Sequence, residues 1–348
     1  MPYVYRHFIP QNTAPKGTKR IGVYKDGKKV ATIPLGRMTP PAKEKLYSFG
    51  LVSDIHLWKF DTSIYANSNS KFDHALSFLQ SEGCAFCVVS GDLTVTGLYL
   101  SPDDTPANAY LDEEQFSAYH SICQKYTMPV YALMGNHESY YGKPISNNLD
   151  LMAAYTGNGA LSYAVEHGDD VFILVGQPRD AWVMSSEDFK WLGNTLEANK
   201  DKRCFVFVHS HIDDNVEGGV EDSGNPVFAR ENSIFGNGYW GATNRTNFIN
   251  LMGRYPNAIL FHGHTHIMFE AQQYDKDANF SEENGFKSVH VPSCGVPREV
   301  VSESGTWEPR NAGAQGYIVD VYDDYIVLNG MDFVNEVPVP LGVYKINI

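Results

Sequence analysis

The sequence predicts an α/β fold in which stacked β-sheets carry helices on their outer faces. From residue 46 onward, short apolar strands alternate with segments whose apolar residues recur at helical spacing. After residue 266, strand-like runs dominate. This order of elements is typical of an α/β sandwich.

Composition and charge set limits on function. The chain has 348 residues, of which 43% are hydrophobic, and such a chain can bury the core of one large domain or two smaller ones. The net charge of −14 argues against an extended nucleic-acid surface or an anionic membrane as partner. A small phosphorylated substrate remains compatible, because a bound metal reverses the local field. The chain has no bilayer-length apolar run and no signal-peptide pattern, which predicts a soluble, cytoplasmic protein.

The five cysteines are odd in number and scattered, so they indicate no disulfide framework. Cys84 and Cys87 have CxxC spacing, but they run into an apparent buried strand, and no second CxxC completes a sulfur site. Both are predicted to be core residues.

Residues 1–45 are predicted to form a small β appendage followed by a linker, and residues 46–348 the main domain. Strand-like runs at 21–24 and 30–33 flank Asp26-Gly27, a hairpin signal because the turn needs positive φ. Oligomerisation is a candidate role for this appendage or for the C-terminal strand.

The main domain is predicted to alternate between strands and helices. Strands are predicted at 46–52, 84–90, 128–134, 161–166, 171–175, 204–208 and 257–261. Helices are predicted at 71–79, 111–126, 185–199 and 247–255, with Ser185 or Ser186 capping the third. Further strand-like runs lie at 267–274, 286–291, 316–322, 325–329 and 343–348.

Five of the predicted strands end in residue types that bind metals. These residues are Asp54 and His56, Asp92, Asn136 and His137, His209, and His264 and His266. Active sites in α/β sheets collect at the carboxyl ends of strands, so these ends predict one common metal site.

The proposed ligands are carboxylates, imidazoles and one amide, which suit Mn, Fe, Zn, Co or Ni. A set of this size contains too many ligands for one ion with open positions. They suit two ions about 3.5–4 Å apart, with one carboxylate bridging them.

In this pattern the chain resembles the calcineurin-like metallophosphoesterases over about residues 46 to 266. The resemblance rests on Asp54-Ile55-His56, Gly91-Asp92, Gly135-Asn136-His137-Glu138, His209 and Gly263-His264-Thr265-His266, in the family's order. It implies a four-layered αββα sandwich of two mixed β-sheets with a dimetal centre.

The resemblance also implies a role for each residue of these blocks. One metal is held by Asp54, His56 and His266. The other is held by Asn136, His209 and His264, and Asp92 bridges the two. His137 is implied to contact the substrate and to protonate the leaving group.

These residues indicate hydrolysis of a phosphoester. A hydroxide that bridges two divalent ions is available at neutral pH and attacks phosphorus in line, while the ions offset the developing charge. The departing alkoxide needs a proton, which an imidazolium such as His137 supplies. Glu138 is a candidate for orienting His137, the alternative being a solvated glutamate.

Other histidines compete less well for these roles. His211 is the alternative to His209, which is favoured because it directly follows the apolar run 204–208. For His262, packing or support is predicted rather than ligation. The remaining histidines fit no motif and receive no role: His7, His74, His120, His167 and His290.

The motifs most resemble those of bacterial cyclic-nucleotide phosphodiesterases, although Glu138 stands where an aspartate is common there. Thr94 and Val95 offer no tyrosine of the kind that purple acid phosphatases use as a ligand. The prediction is therefore a phosphodiesterase acting on nucleotide-like or other small diesters. The alternatives are a phosphomonoesterase on a nucleotide or sugar phosphate, and a docking protein of a larger, phage-like assembly with secondary catalysis.

An irregular insertion at 210–245 is predicted to determine specificity, since a loop of that length is uncommon without a function. Tyr239 and Trp240 are candidates for stacking on a base, and Arg230 and Arg245 for contacting phosphate. The alternative is a surface flap packed by its own aromatic residues.

Overall fold

The structure is a computed structural model. It describes residues 20–25, 28–34, 44–58, 67–95, 109–138, 145–177, 184–210, 242–275, 277–282, 285–302, 307–310 and 312–348. Within these ranges, no helix combines the length and the apolar character that a bilayer crossing requires.

Strands and helices alternate in the first part of the described chain and strands dominate the last part. The strands are β1 (Arg20–Lys25), β2 (Lys28–Pro34), β3 (Tyr47–Val52), β4 (Cys87–Val89), β5 (Val130–Ala132), β6 (Ser162–His167), β7 (Asp170–Val175), β8 (Cys204–Phe207), β9 (Ala258–His262), β10 (Phe280–Ser281), β11 (Lys287–His290), β12 (Arg298–Val300), β13 (Trp307–Pro309), β14 (Gln315–Val321), β15 (Tyr325–Asp332) and β16 (Val337–Asn347). The helices are α1 (Ser68–Ser81), α2 (Ala109–Cys123), α3 (Ile145–Thr156), α4 (Ser186–Ala198), α5 (Ala242–Met252) and a 3-10 helix (Phe269–Gln273).

Two six-stranded mixed sheets form the centre of the molecule. Sheet A has the order β16-β15-β14-β3-β4-β5, and β3, β4 and β5 are parallel. Sheet B has the order β10-β11-β9-β8-β7-β6, and β7, β8, β9 and β11 are parallel. The carboxyl ends of the parallel strands therefore lie along one edge of each sheet.

The sheets pack face to face through a layer of aromatic side chains. In β8, Phe205 and Phe207 belong to the cluster between the sheets, while Cys204 and Val206 belong to the cluster on the outer face. This alternation follows from the two-residue period of a strand. The ring of Phe49 on β3 lies 5.4 Å from that of Phe205, measured between centroids, in an edge-to-face arrangement.

Helices cover both outer faces. Phe72 on α1 and Phe116 on α2 pack in one cluster with Val89 of sheet A. On the other side, Leu192 of α4 and Phe248 of α5 pack with the outer residues of sheet B. The layers are therefore helix, sheet, sheet, helix, which confirms the predicted αββα sandwich.

All the predicted helices and all but one of the predicted strands are present with shifted ends. The cap of α4 is Ser185, whose hydroxyl accepts from the backbone N–H of Asp188 while the Asp188 carboxylate accepts from that of Ser185. Cys84 and Cys87 are free and buried, as predicted for core residues. The helix α3 and the short strands β10, β12 and β13 had no counterpart in the sequence prediction.

The strand predicted over 267–274 is wrong. Residues Phe269–Gln273 form a 3-10 helix, and only Ile267 makes an isolated bridge, to Arg298. Gln315 holds this turn, because its side chain accepts from the Phe269 N–H and donates to the Glu270 carboxylate. A partner this distant in the chain leaves no trace in local periodicity.

Near the N-terminus, β1 and β2 pair antiparallel with Lys25 opposite Lys28, which confirms the predicted hairpin strands. The division of the chain into an appendage and a main domain stays a prediction.

Candidate metal centre

The predicted ligands converge where the two sheets meet. Asp54 and His56 follow β3, Asp92 follows β4, and Asn136 follows β5, all in sheet A. From sheet B, His209 follows β8, and His264 and His266 follow β9. Each of these side chains is buried, with at most 6% of the residue exposed. Residues as far apart as Asp54 and His264 are thus in contact, the His264 N–H donating to Asp54 Oδ2 over 2.9 Å.

The backbone at these strand ends is unusual. Seven non-glycine residues in the described ranges have positive φ, and five of them belong to the predicted site. These five are Asp54 (51°), His56 (44°), Asp92 (51°), His264 (74°) and His266 (63°). Each such conformation costs about 1–2 kcal/mol, and surrounding structure must hold it in place. The sharp turns direct consecutive polar side chains into one small volume.

The side chains form two clusters that share one carboxylate. The first contains Asp54, His56, Asp92 and His266, and the second contains Asp92, His209 and His264. Within each cluster the potential ligand atoms lie within 4.8 Å of one another. Asn136 extends the second cluster, since its Oδ1 lies 3.0 Å from His264 Nδ1.

Two carboxylate oxygens show that these clusters suit cations. Asp54 Oδ1 and Asp92 Oδ2 are buried and accept no hydrogen bond. Imidazole nitrogens surround them, with His266 Nε2 at 3.1 Å from the former and His209 Nε2 at 3.0 Å from the latter. Leaving such oxygens without a partner is costly in a protein interior, and a metal ion held jointly with the imidazoles removes the cost. The residues present therefore fit a pair of transition-metal ions.

Backbone carbonyls orient two of the imidazoles. His209 Nδ1 donates to Ser90 O over 2.7 Å, and His266 Nδ1 donates to Val296 O over 2.9 Å. Because a carbonyl only accepts, Nδ1 carries the hydrogen, and the lone pair of a neutral ring lies on Nε2. Both Nε2 atoms face the carboxylates, as metal-binding histidines require.

The electrostatics couple the carboxylates to the imidazoles. Burial alone raises the pKa of Asp54, but the neighbouring histidines, His266 foremost, hold it well below its usual range. The pKa of Asp92 is low for the same reason: burial acts to raise it, and His209 makes the largest contribution that lowers it. Burial acts to lower the pKa of His209, yet Asp92 and Asp54 raise it to about 9. Negative charge is thus retained in a buried site, where it attracts cations.

His137 lies beside the clusters. Its backbone N–H donates to Asp92 Oδ1 over 3.0 Å, and its Nδ1 donates to Val95 O over 3.1 Å. Its Nε2 lies 3.7 Å from Asp92 Oδ2 and so faces the centre. This placement suits a group that exchanges a proton with a molecule bound there.

The interpretation of Glu138 needs correction. It is fully buried rather than solvated, and its carboxylate accepts from Thr94 and from the Gly135 N–H. Burial and the charge of Asp92 raise its pKa to about 7, although those hydrogen bonds oppose the shift. Glu138 therefore ties together the loops after β4 and β5, and its carboxylate bonds to Thr94 and Gly135, whereas His137 Nδ1 donates to the Val95 carbonyl.

Sequence reasoning missed the role of His290. Its Nε2 lies 2.7 Å from Thr265 Oγ1, and both residues are buried. Thr265 separates His264 from His266, so this contact supports the turn that presents both. An isolated histidine in the run 286–291 carried no signal of this role. Gly263 is required by space, since a Cβ there would overlap Ser53 Oγ and lie 2.6 Å from Asp54 Oδ2.

The predicted substrate contacts are largely outside the described residues. Arg230, Tyr239 and Trp240 fall there, as does His211, the alternative to His209. Arg245 lies on α5 and is half-buried. The role of the 210–245 insertion in specificity stays a prediction.

Comparison with known proteins identifies the family. Residues 47–268 match the family model of the calcineurin-like phosphoesterases. The chain belongs to this family. The match confirms the resemblance carried by the motifs, and it makes the chain a metal-dependent hydrolase of phosphoesters. The family and the Asp/His clusters together indicate a dimetal centre.

Solved structures share the fold at low identity. A dimetal phosphatase from Danio rerio matches with a TM-score of 0.54 and 12% identity, covering 87% of this chain and 99% of that one. A purple acid phosphatase from yellow lupin (Lupinus luteus) seeds matches with a TM-score of 0.58 and 16% identity, covering 91% of this chain and 57% of that one. A search of curated proteins found no match.

Proposed function

We propose that this phosphoesterase hydrolyses diesters of nucleotide-like or other small molecules at a pair of transition-metal ions. The observation that carries the proposal is the position of Asp92, whose carboxylate belongs to both clusters. The preference for diesters rests on the motifs Ser53-Asp54-Ile55-His56-Leu57 and Gly91-Asp92-Leu93-Thr94 together with Gly263-His264-Thr265-His266.

The two clusters support an assignment of residues to each ion. Asp54, His56 and His266 would hold the first metal. Asn136, His209 and His264 would hold the second, and Asp92, which belongs to both clusters, would be shared between the two. The donor set suits Mn, Fe, Zn, Co or Ni.

The side chains around the ions have separate tasks. When bound, the two ions supply Lewis acidity toward the phosphoryl oxygens and lower the pKa of coordinated water. His137 delivers a proton from Nε2 to the leaving-group oxygen, because the Val95 carbonyl occupies Nδ1 and fixes the direction of the ring. The side chains that would hold the ions are buried, so these interactions operate with little competition from water.

The test is a comparison of two chromogenic substrates. The chain is stripped with a chelator, reloaded with Mn²⁺, and assayed on bis-p-nitrophenyl phosphate and on p-nitrophenyl phosphate. Two bound ions per chain and a higher kcat/KM on the diester are expected. A preference for the monoester would replace the proposal with a phosphomonoesterase acting on a nucleotide or sugar phosphate. Turnover that is unaffected by the chelator would overturn the metal assignment.

A further inference from the structure

A short buried segment outside the matched family region contacts two ligands of the first metal. This segment, Ser293-Cys294-Gly295-Val296, is here called the supporting segment, and it lies between β11 and β12. It runs beside the end of β3: the Cys294 N–H donates to Ser53 O over 2.9 Å, and the Gly295 N–H donates to Asp54 O over 3.1 Å. The Ser293 hydroxyl also donates to Asp54 O, over 2.8 Å.

The other end of the supporting segment holds a ligand from the opposite sheet. Val296 O accepts the bond from His266 Nδ1 over 2.9 Å, and the Val296 N–H donates to Ser293 Oγ over 2.8 Å. Ser293 therefore links the backbone of Asp54 to the residue that orients His266. One four-residue segment thus fixes a carboxylate from sheet A relative to an imidazole from sheet B.

Lys71 anchors this segment from α1. Its Nζ donates to Gly295 O over 2.8 Å, and only 4% of the residue is exposed. Burial lowers its pKa, while Cys294 and Asp332 act in the opposite direction. A buried ammonium group is destabilising unless it is hydrogen-bonded, so a lysine here requires an acceptor, which Gly295 O provides.

The backbone of the supporting segment packs directly against the backbone of Asp54 and Ile55. A Cβ on Gly295 would overlap Ile55 O and lie 2.9 Å from Asp54 O. Asp54 itself has a φ of 51°, a conformation that neighbouring bonds must maintain. The supporting segment provides those bonds directly under the ligand.

The imidazole side chains of the second cluster contact other groups, and the backbone N–H of His264 donates to Asp54 Oδ2. His209 bonds to Ser90 O, at the end of β4, and His264 contacts Asn136, after β5. Both supports belong to the strand ends that carry the ligands. The bonds of the supporting segment go instead to Asp54 and His266, which share the first cluster.

We propose that Lys71 and Ser293 are positioning residues that set the affinity of the first metal site selectively. The inference rests on the division of ligands given in the proposed function. Groups that orient metal ligands typically contribute about 10–100-fold to metal affinity. We expect Lys71→Met and Ser293→Ala to lower the binding affinity for one of the two ions by such a factor. The affinity for the other ion should be unchanged.

The full chain is stripped of metal and titrated with Mn²⁺. Bound ions are counted by elemental analysis, and electron paramagnetic resonance separates a single Mn²⁺ from a spin-coupled pair. At Mn²⁺ concentrations that fill both wild-type sites, each variant is expected to hold one ion and to show the spectrum of isolated Mn²⁺. Matched controls are Lys45→Met and Ser48→Ala, whose side chains both bond to Asp320 at the opposite end of β3. These controls are expected to retain two coupled ions.

Double variants identify the weakened site. Lys71→Met combined with His209→Ala is expected to hold no ion at that concentration, and combined with His56→Ala it is expected to hold one. The inference would be overturned if Lys71→Met and Ser293→Ala bound two ions with wild-type affinity. It would also be overturned if the variants lost affinity equally at both metal sites. A wild-type chain that binds fewer than two ions would instead refute the proposed function. Thermal unfolding in chelator checks that each variant is folded; if Lys71→Met is not, Ser293→Ala decides by the same criteria.

Discussion

The two sheets contribute unequally to the metal centre. Sheet A supplies the proposed oxygen ligands, Asp54, Asp92 and Asn136, together with one imidazole, whereas sheet B supplies only imidazoles. Each cluster contains residues from both sheets. The carboxylates of both clusters therefore come from one sheet, and neither sheet alone supplies a complete cluster. Metal binding is accordingly coupled to the packing of the sheets against each other.

The largest effect is expected from the residue that both clusters share. Asp92→Asn removes the bridging charge, which we expect to cost about 5.5 kcal/mol of transition-state stabilisation, or about 10⁴-fold in kcat/KM. Asp92→Asn should weaken the binding of both ions, whereas His209→Ala should weaken the binding of one. Asp73→Asn, a partly exposed aspartate bonded to Lys125, is the control and should have normal kinetics. Retention of two tightly bound ions by Asp92→Asn would show that the carboxylate does not bridge.

The next effect separates chemistry from metal binding. His137→Ala is expected to lower kcat by about 10²–10⁴-fold while two ions stay bound, because the proposed role of the residue is proton transfer and not metal binding. The loss should be larger for diesters with alkyl leaving groups than for p-nitrophenyl esters, which need less protonation. Surface His74, paired with Glu336, gives the control His74→Ala. A loss of metal with activity would instead make His137 a ligand.

At the opposite end of the sandwich, the sheets are joined by a buried charged network. Arg203, which directly precedes β8, donates to Asp170 over 2.6 Å and to Tyr322 O of the loop after β14, and Tyr47 of β3 also donates to Asp170. Arg203→Met leaves the Asp170 carboxylate without its cation, which costs about 3–5 kcal/mol. Urea unfolding of the metal-free chain measures this loss. The folded variant should still bind two ions, since the network lies far from the clusters along each strand; a changed metal count would mean that the two ends are coupled.

The smallest effect is expected from His290 of sheet B, which contacts the residue between His264 and His266. His290→Ala removes the contact to Thr265 and should weaken Mn²⁺ binding by about 10-fold, the lower end of the range for groups behind metal ligands. Thr265→Val should reproduce the effect, and Thr265→Ser, which keeps the hydroxyl, should not. His262→Ala, at the neighbouring position in the register of β9 and β11, is the control. Equal effects of Thr265→Ser and Thr265→Val would point to packing rather than to the hydrogen bond.

The sandwich and the convergence of the polar strand ends were predictable from sequence. Both depend on local patterns: the period of apolar residues defines a strand, and the residue after the run is by construction at its carboxyl end. His209 was favoured on this basis, and the structure brings it into the second cluster. The same local reasoning failed at 267–274, where Gln315 holds a 3-10 turn across 46 residues of chain.

What only the tertiary structure decided is how the site is held. The left-handed backbone at five of the site residues, the hydrogen bond of His137 to Val95, and the anchoring of Gly295 by Lys71 all depend on contacts between distant segments. Lys71 and Gly295 are 224 positions apart, and nothing in either local pattern marks their contact. The sequence alone determined which side chains are available to the metals and at which strand ends they stand. Packing of the two sheets decided their partners and orientation, because those are set by neighbours that have no fixed spacing along the chain.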